Sequence, residues 1–166
     1  ITYPMVLMNG ASVYDFIEKS FTYTHFIDND TRLYLDNKLK ELNMQSFTYT
    51  INENTLHCYH NKLVNEGEKN YYNNRKSFST YTFVRGLVPN DLQCVFYVII
   101  DLKENIERFI GELKETEYYQ KVDVVSYPYG NGYYYLKLNE VSAGKEVQIE
   151  RIYNENKHDK LVSFVS

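Results

Sequence analysis

The stretch LQCVFYVIIDLKENIERFIGELKET, residues 92–116, carries the strongest structural signal in this chain of 166 residues. Residues 92–100 are apolar on both faces, which is typical of a central strand covered on both sides. Asp101 is then placed to cap a helix. The apolar side chains that follow share one helical stripe: Ile106, Phe109, Ile110 and Leu113. The stretch therefore predicts a buried strand followed directly by a helix.

Alternating and turn-bounded patterns predict the remaining elements. A short helix capped by Ser12 is expected over 12–17, and a longer helix is expected after residues 28–30, with Leu35, Leu39 and Leu42 on its apolar stripe. The polar run at 61–76 is typical of a long loop. Strands are expected at 3–8, 20–27, 46–51, 55–60, 77–88, 120–127, 132–139, 145–153 and 160–165.

These elements predict an α+β fold with a mostly antiparallel sheet, about three helices and a C-terminal β-meander. The length predicts a single domain over 1–166. A break near Pro89 would divide that domain into two lobes, 1–88 and 89–166.

Composition argues against several classes of partner. The net charge of −4 gives no basic surface for a phosphate backbone, which argues against nucleic acid. The longest apolar run, at 94–100, is far shorter than a membrane-spanning helix, so no membrane insertion is expected. No signal peptide is visible. The abundance of Tyr, Asn, Lys, Phe and Ile is typical of an AT-rich genome, as in many viruses.

The most distinctive candidate for a binding surface is a hairpin at 126–137, SYPYGNGYYYLK. Tyrosine combines large contact area with little rotamer entropy and a terminal hydroxyl, and it recurs with Ser, Gly and Asn in recognition loops. Strand propensity alone could also account for these tyrosines. The candidate binding residues of the hairpin are Tyr127, Tyr129, Asn131, Tyr133, Tyr134 and Tyr135. The polar run at 68–76 adds Tyr71 and Tyr72.

An alternative site lies around the buried strand. Asp91, followed after an apolar strand by Asp101 and Lys103, resembles the metal-dependent nuclease pattern of the PD-(D/E)xK superfamily. In that family two carboxylates hold a divalent ion and the lysine assists the attacking water. The competing interpretation is that Asp101 caps the helix and Lys103 is solvated.

The histidines and cysteines point to no metal site. His57 and His60 would face opposite sides of a strand, whereas Cys58 and His60 share a face. Cys58 and Cys94 are expected to stay reduced, because Cys94 lies in the buried strand. The sequence predicts no metal and no cofactor.

The sequence thus favours a non-enzymatic recognition or structural module that binds a protein or glycan partner through its tyrosines. The alternative is a small metal-dependent nuclease using Asp91, Asp101 and Lys103.

Overall fold

The computed structural model describes residues 5–7, 12–15, 18–77 and 81–142. By its contacts the chain divides into two units, Ile1–His25 with Ser142–Ser166, and Phe26–Val141. The predicted strands at 145–153 and 160–165 lie outside the described residues. No helix in the described part of the chain is long and apolar enough to cross a membrane.

The first unit contains a small antiparallel sheet. Its strands are β1 (Met5–Leu7), β2 (Ser12–Asp15) and β3 (Ser20–Thr24). The prediction of a helix beginning at Ser12 is wrong, because this segment pairs with β3 and the hydroxyls of Ser12 and Thr24 share a hydrogen bond of 2.9 Å. Asp15 caps a turn instead of a helix, since its carboxylate accepts from the amide of Glu18 at 3.1 Å.

The second unit is built on a six-stranded sheet in the order β6-β5-β4-β7-β9-β8. All neighbours in this sheet are antiparallel except β5 and β6. The predicted α+β class is confirmed. The strands are β4 (Phe47–Asn52), β5 (Thr55–His60), β6 (Tyr81–Arg85), β7 (Cys94–Leu102), β8 (Val122–Gly130) and β9 (Tyr133–Glu140). Strands β6 and β7, on either side of the predicted break near Pro89, lie in this one sheet.

One face of the sheet is covered by two helices, α1 (Asn29–Glu41) and α3 (Lys103–Lys114), with a 3-10 helix (Glu117–Lys121) after α3. We call it the α1 face. The central strand β7 is buried along most of its length, as its sequence predicts. Side chains such as Leu35, Phe109 and Leu138 form the core between helices and sheet.

The opposite face carries a third helix, α2 (Glu66–Arg75), and we call it the α2 face. The prediction of a loop at 61–76 is wrong. The Asn65 side chain accepts from the Glu68 amide at 2.8 Å, and the Glu68 carboxylate accepts from the amides of Val64 and Asn65. This reciprocal capping starts a helix within a polar sequence.

Gly67 allows α2 to approach the sheet closely. A Cβ atom at this position would lie 2.6 Å from Cγ2 of Ile100 and 2.8 Å from Cγ of Tyr133. Gly111 in α3, by contrast, has nothing within 4 Å of the same added atom. The two helical glycines therefore allow the same substitution to be compared at a crowded position and at an open one.

We expect Gly67→Ala to destabilise the protein by about 1–3 kcal/mol, because the added methyl overpacks the junction of α2 with β7 and β9. Gly111→Ala should instead stabilise it by up to about 1 kcal/mol through helix propensity. Urea denaturation followed by circular dichroism measures both changes. Equal effects of the two substitutions would contradict the close approach of α2.

Candidate functional site

The side chains that α2 presents to the sheet recur every four residues. Gly67, Tyr71 and Arg75 therefore lie on one helical face. Tyr71 is 3% exposed, and its hydroxyl lies 2.7 Å from that of Tyr49 on β4. The Arg75 guanidinium carbon lies 3.9 Å from the centroid of the Tyr71 ring. The helix thus holds a cation above a fixed aromatic ring.

The hairpin of β8 and β9 brings three further tyrosines to this cation. Tyr127 and Tyr135 are stacked, with ring centroids 4.6 Å apart. The Tyr129 ring lies 6.3 Å from both Tyr71 and Tyr135. Tyr127 is 47% exposed, so this group of rings opens to solvent. We call Arg75, Tyr71, Tyr127, Tyr129 and Tyr135 the Arg75 site.

Electrostatics favour a positive charge here. Burial lowers the pKa of Arg75, but the neighbouring Tyr71, Tyr129 and Tyr49 together raise it above its usual value. Burial also raises the pKa of Tyr71 and of Tyr135 well above the usual value, which keeps both phenols protonated at neutral pH. The site is therefore a guanidinium surrounded by neutral hydroxyl groups, a combination suited to an anion.

The residues predicted to bind a partner are divided between both faces of the sheet. Tyr71, Tyr127, Tyr129 and Tyr135 converge on Arg75, while Tyr133 packs against Gly67. Tyr134 packs on the α1 face, with Lys103 Nζ 5.8 Å from its ring. Tyr72 contacts His60 and Phe83, and Asn131 is exposed in the turn. The binding role of all eight stays a prediction.

Sequence reasoning missed Arg75 because it assigned the whole polar run at 61–76 to a loop. The available signal was Asn65 and Glu68 at capping-box spacing, followed by Gly67, Tyr71 and Arg75 four residues apart.

A second cation, Lys137, was likewise not predicted as a site residue. It lies on the α2 face two residues beyond Tyr135, with its amine 4.4 Å from the centroid of the Phe96 ring. Lys137 is 5% exposed. Burial lowers its pKa to about 8, although the charge of Asp123 acts in the opposite direction. Lys137 therefore changes charge close to neutral pH.

The three residues of the nuclease alternative do not converge. Asp91 precedes β7 and Asp101 lies near the end of that strand. The strand from Cys94 to Asp101 is about 23 Å long at about 3.3 Å per residue, so the two carboxylates lie at opposite ends of β7. Asp101 Oδ1 accepts from the Leu102 amide and from Asn105, just before α3 begins. Leu102 is thus the N-cap in place of the predicted Asp101. Lys103 forms an exposed ion pair with Glu107.

The other predicted positions behave as ordinary structural residues. Cys58 and His60 share the α2 face with Phe47 and Tyr49, and His57 lies on the other side of β5, as predicted. Cys58 and Cys94 are free thiols and both are buried. Burial raises the pKa of Cys58 to about 12, which keeps the thiol protonated. In the described segments no three or more His, Cys, Asp or Glu side chains form a group that could hold a metal ion.

No protein-family model matches this sequence, and no curated protein does. Solved structures are similar in fold. A haloacid dehalogenase-like hydrolase from Bacteroides thetaiotaomicron superposes with a TM-score of 0.66 at 12% identity, over 89% of this chain and 52% of its own. A sugar phosphatase of HAD subclass IIB superposes with a TM-score of 0.63 at 11% identity, over 94% of this chain and 54% of its own. A haloacid dehalogenase-like hydrolase from B. subtilis superposes with a TM-score of 0.63 at 13% identity, over 95% of this chain and 60% of its own.

The chain therefore spans about half the length of the solved structures it matches, and at these identities the likeness shows a shared fold. It contradicts two predictions. The non-enzymatic module that binds a protein or glycan partner is wrong, and so is the PD-(D/E)xK nuclease, because the fold is one that hydrolases and phosphatases of the haloacid dehalogenase type possess.

The buried amine of Lys137 makes a pH-dependent prediction. A lysine whose pKa falls on folding destabilises the folded state fully below pH 8, and this penalty disappears as the pH rises toward the ordinary value of 10.5. Lys137→Met should therefore stabilise the protein at pH 7, by on the order of 3 kcal/mol at 1.36 kcal/mol per pKa unit. The gain should fade by pH 10.

Urea unfolding of the wild type and of Lys137→Met between pH 7 and pH 10 measures this difference. Lys62→Met, at an exposed loop position, is the matched control and should be nearly neutral throughout. A Lys137→Met effect that is constant across this pH range would refute the burial of a titrating amine.

Proposed function

We propose that residues 26–141 bind the phosphate group of a phosphate-ester substrate for a hydrolase of the haloacid dehalogenase type, with Arg75 as the phosphate-binding side chain. The observation that carries this proposal is the Arg75 guanidinium held 3.9 Å above Tyr71 among tyrosine hydroxyls. The shared fold supports it, since one of the solved structures is a sugar phosphatase.

The geometry of Arg75 suits a tetrahedral oxyanion. A guanidinium presents its N–H donors in a planar fork that matches two phosphate oxygens, and one of its faces already stacks on Tyr71. Its principal electrostatic neighbours are the tyrosines Tyr71, Tyr129 and Tyr49. Neutral phenols leave the positive charge available, and the hydroxyl of Tyr129 can donate a further hydrogen bond to the anion.

The stacked pair of Tyr127 and Tyr135 gives the rest of the substrate a surface to contact. The exposed Tyr127 ring and the exposed side chain of Val125 lie on the same face of the hairpin. A ring on the substrate could pack against this apolar area while its phosphate reaches Arg75. The tyrosines first interpreted as contacts for a partner protein are thus proposed as substrate contacts.

Arg75→Ala should weaken binding of D-glucose 6-phosphate at least about tenfold, because it removes charge-assisted hydrogen bonds worth about 1.5–3 kcal/mol. Arg75→Lys keeps the charge but loses the planar pair of guanidinium donors, so its affinity should lie between those of the wild type and Arg75→Ala. Tyr129→Phe should also weaken binding, since it deletes a hydroxyl that neighbours Arg75 and could donate to the phosphate.

Amide chemical shifts of residues 71–75 and 127–135 report binding at this site during titration with the phosphate ester. Arg108→Ala is the matched control, because Arg108 is an exposed arginine of α3 paired with Glu112. D-Glucose, which lacks the phosphate, should leave these resonances unchanged. Equal affinity of the wild type and Arg75→Ala, or equal shifts with D-glucose, would contradict the proposal.

A further inference from the structure

A second concave region lies beside α1, away from the Arg75 site. It is a cavity of about 470 Å³ between α1, the residues that follow α1, the ends of β4 and β5, and the segment after β6. Thr48 and Tyr59, which line it, point to the α1 face of the sheet. Cavities of about 300–1,000 Å³ are the usual size for small-molecule sites.

The walls of this cavity are held in place by hydrogen bonds between separate segments of the chain. Arg32 of α1 is 8% exposed and donates to the carbonyls of Leu92 at 2.6 Å and Val88 at 3.2 Å. The Gly86 amide donates to the carbonyl of His60 at 2.9 Å. The segment after β6 is thus fixed at both of its ends, so the cavity exists before any ligand binds.

The formal charges of the lining largely cancel. Arg32 Nε lies 3.6 Å from the Asp36 carboxylate, which also accepts from the buried hydroxyl of Tyr97 at 2.7 Å. Lys40 contributes one further cation. A strongly charged ligand would therefore find little complementary charge beyond that one amine.

Carboxamides dominate the remaining polar lining. Within the described residues no protein group hydrogen-bonds the side-chain amide of any of these five, of which all but Gln45 are exposed at the rim: Asn37, Asn43, Gln45, Asn61 and Asn90. They come from four separate segments of the chain and line one space together with Tyr59. Each carboxamide offers two donors and an acceptor.

We propose that this cavity binds a small uncharged polyol, a molecule with several adjacent hydroxyl groups. Each hydroxyl both donates and accepts a hydrogen bond, which matches a carboxamide on both counts. The cavity shares no residue with the Arg75 site, so the binding of a polyol here is independent of the function proposed above.

Titration with myo-inositol and with D-glucitol, followed by amide chemical shifts, tests this site. Saturable shifts are expected at residues 37–46, 59–61 and 86–90. Replacing Asn37 and Asn90 with alanine should weaken binding about fivefold for each lost amide, at about 1 kcal/mol per hydrogen bond. Asn73→Ala, on the exposed surface of α2, and Arg75→Ala should leave the affinity unchanged.

Three results would overturn the proposal. The first is the absence of saturable shifts with either polyol, and the second is equal affinity of the wild type and the doubly substituted Asn37→Ala, Asn90→Ala protein. The third is saturation at these residues by D-glucose 6-phosphate when neither neutral polyol saturates, because the ligand class would then be anionic.

Discussion

The close contact of α2 with the sheet at Gly67 determines the positions of the groups proposed to bind phosphate. Because Gly67 has no side chain, the first turn of α2 lies directly against Ile100 and Tyr133. One turn later Tyr71 is buried beside Tyr49, and after another turn Arg75 covers the Tyr71 ring. A wider separation of helix and sheet would move Arg75 away from the hairpin tyrosines.

The two faces of the sheet are covered differently. Two helices and an apolar core cover the α1 face around β7, which stabilises the unit. The α2 face carries Arg75, above the Tyr71 ring, and Lys137, above the Phe96 ring. Burying a cation costs free energy unless it gains partners, and Arg75 gains the ring of Tyr71. The partly exposed tyrosine rings around Arg75 are the reason for proposing the substrate site on the α2 face.

The sequence predicts the elements whose periodicity is strong, and it fails where local signals compete. The apolar run of β7 and the stripe of α3 both lie where expected, as does the hairpin of β4 and β5. Helix α2 was missed because its stability comes from a capping box and from tertiary contacts of Gly67 and Tyr71, while its composition is polar. The pattern at Ser12 is that of a helix cap, but this segment forms a strand that pairs with Thr24. Four of the eight predicted binding residues converge on Arg75. Arg75 itself could not be predicted as a site residue, because its position depends on helix α2 and the sequence assigned that segment to a loop.

The most direct test of phosphate binding at Arg75 is the Nε–H resonance of its side chain during titration with D-glucose 6-phosphate. A phosphate held by the guanidinium should move this resonance saturably and slow its exchange with water, because the donor gains a charge-assisted hydrogen bond. The Nε–H resonance of Arg108, on α3, should not change in the same titration. An Arg75 resonance that stays fixed while the ester saturates other parts of the protein would show that this guanidinium is not the phosphate-binding group.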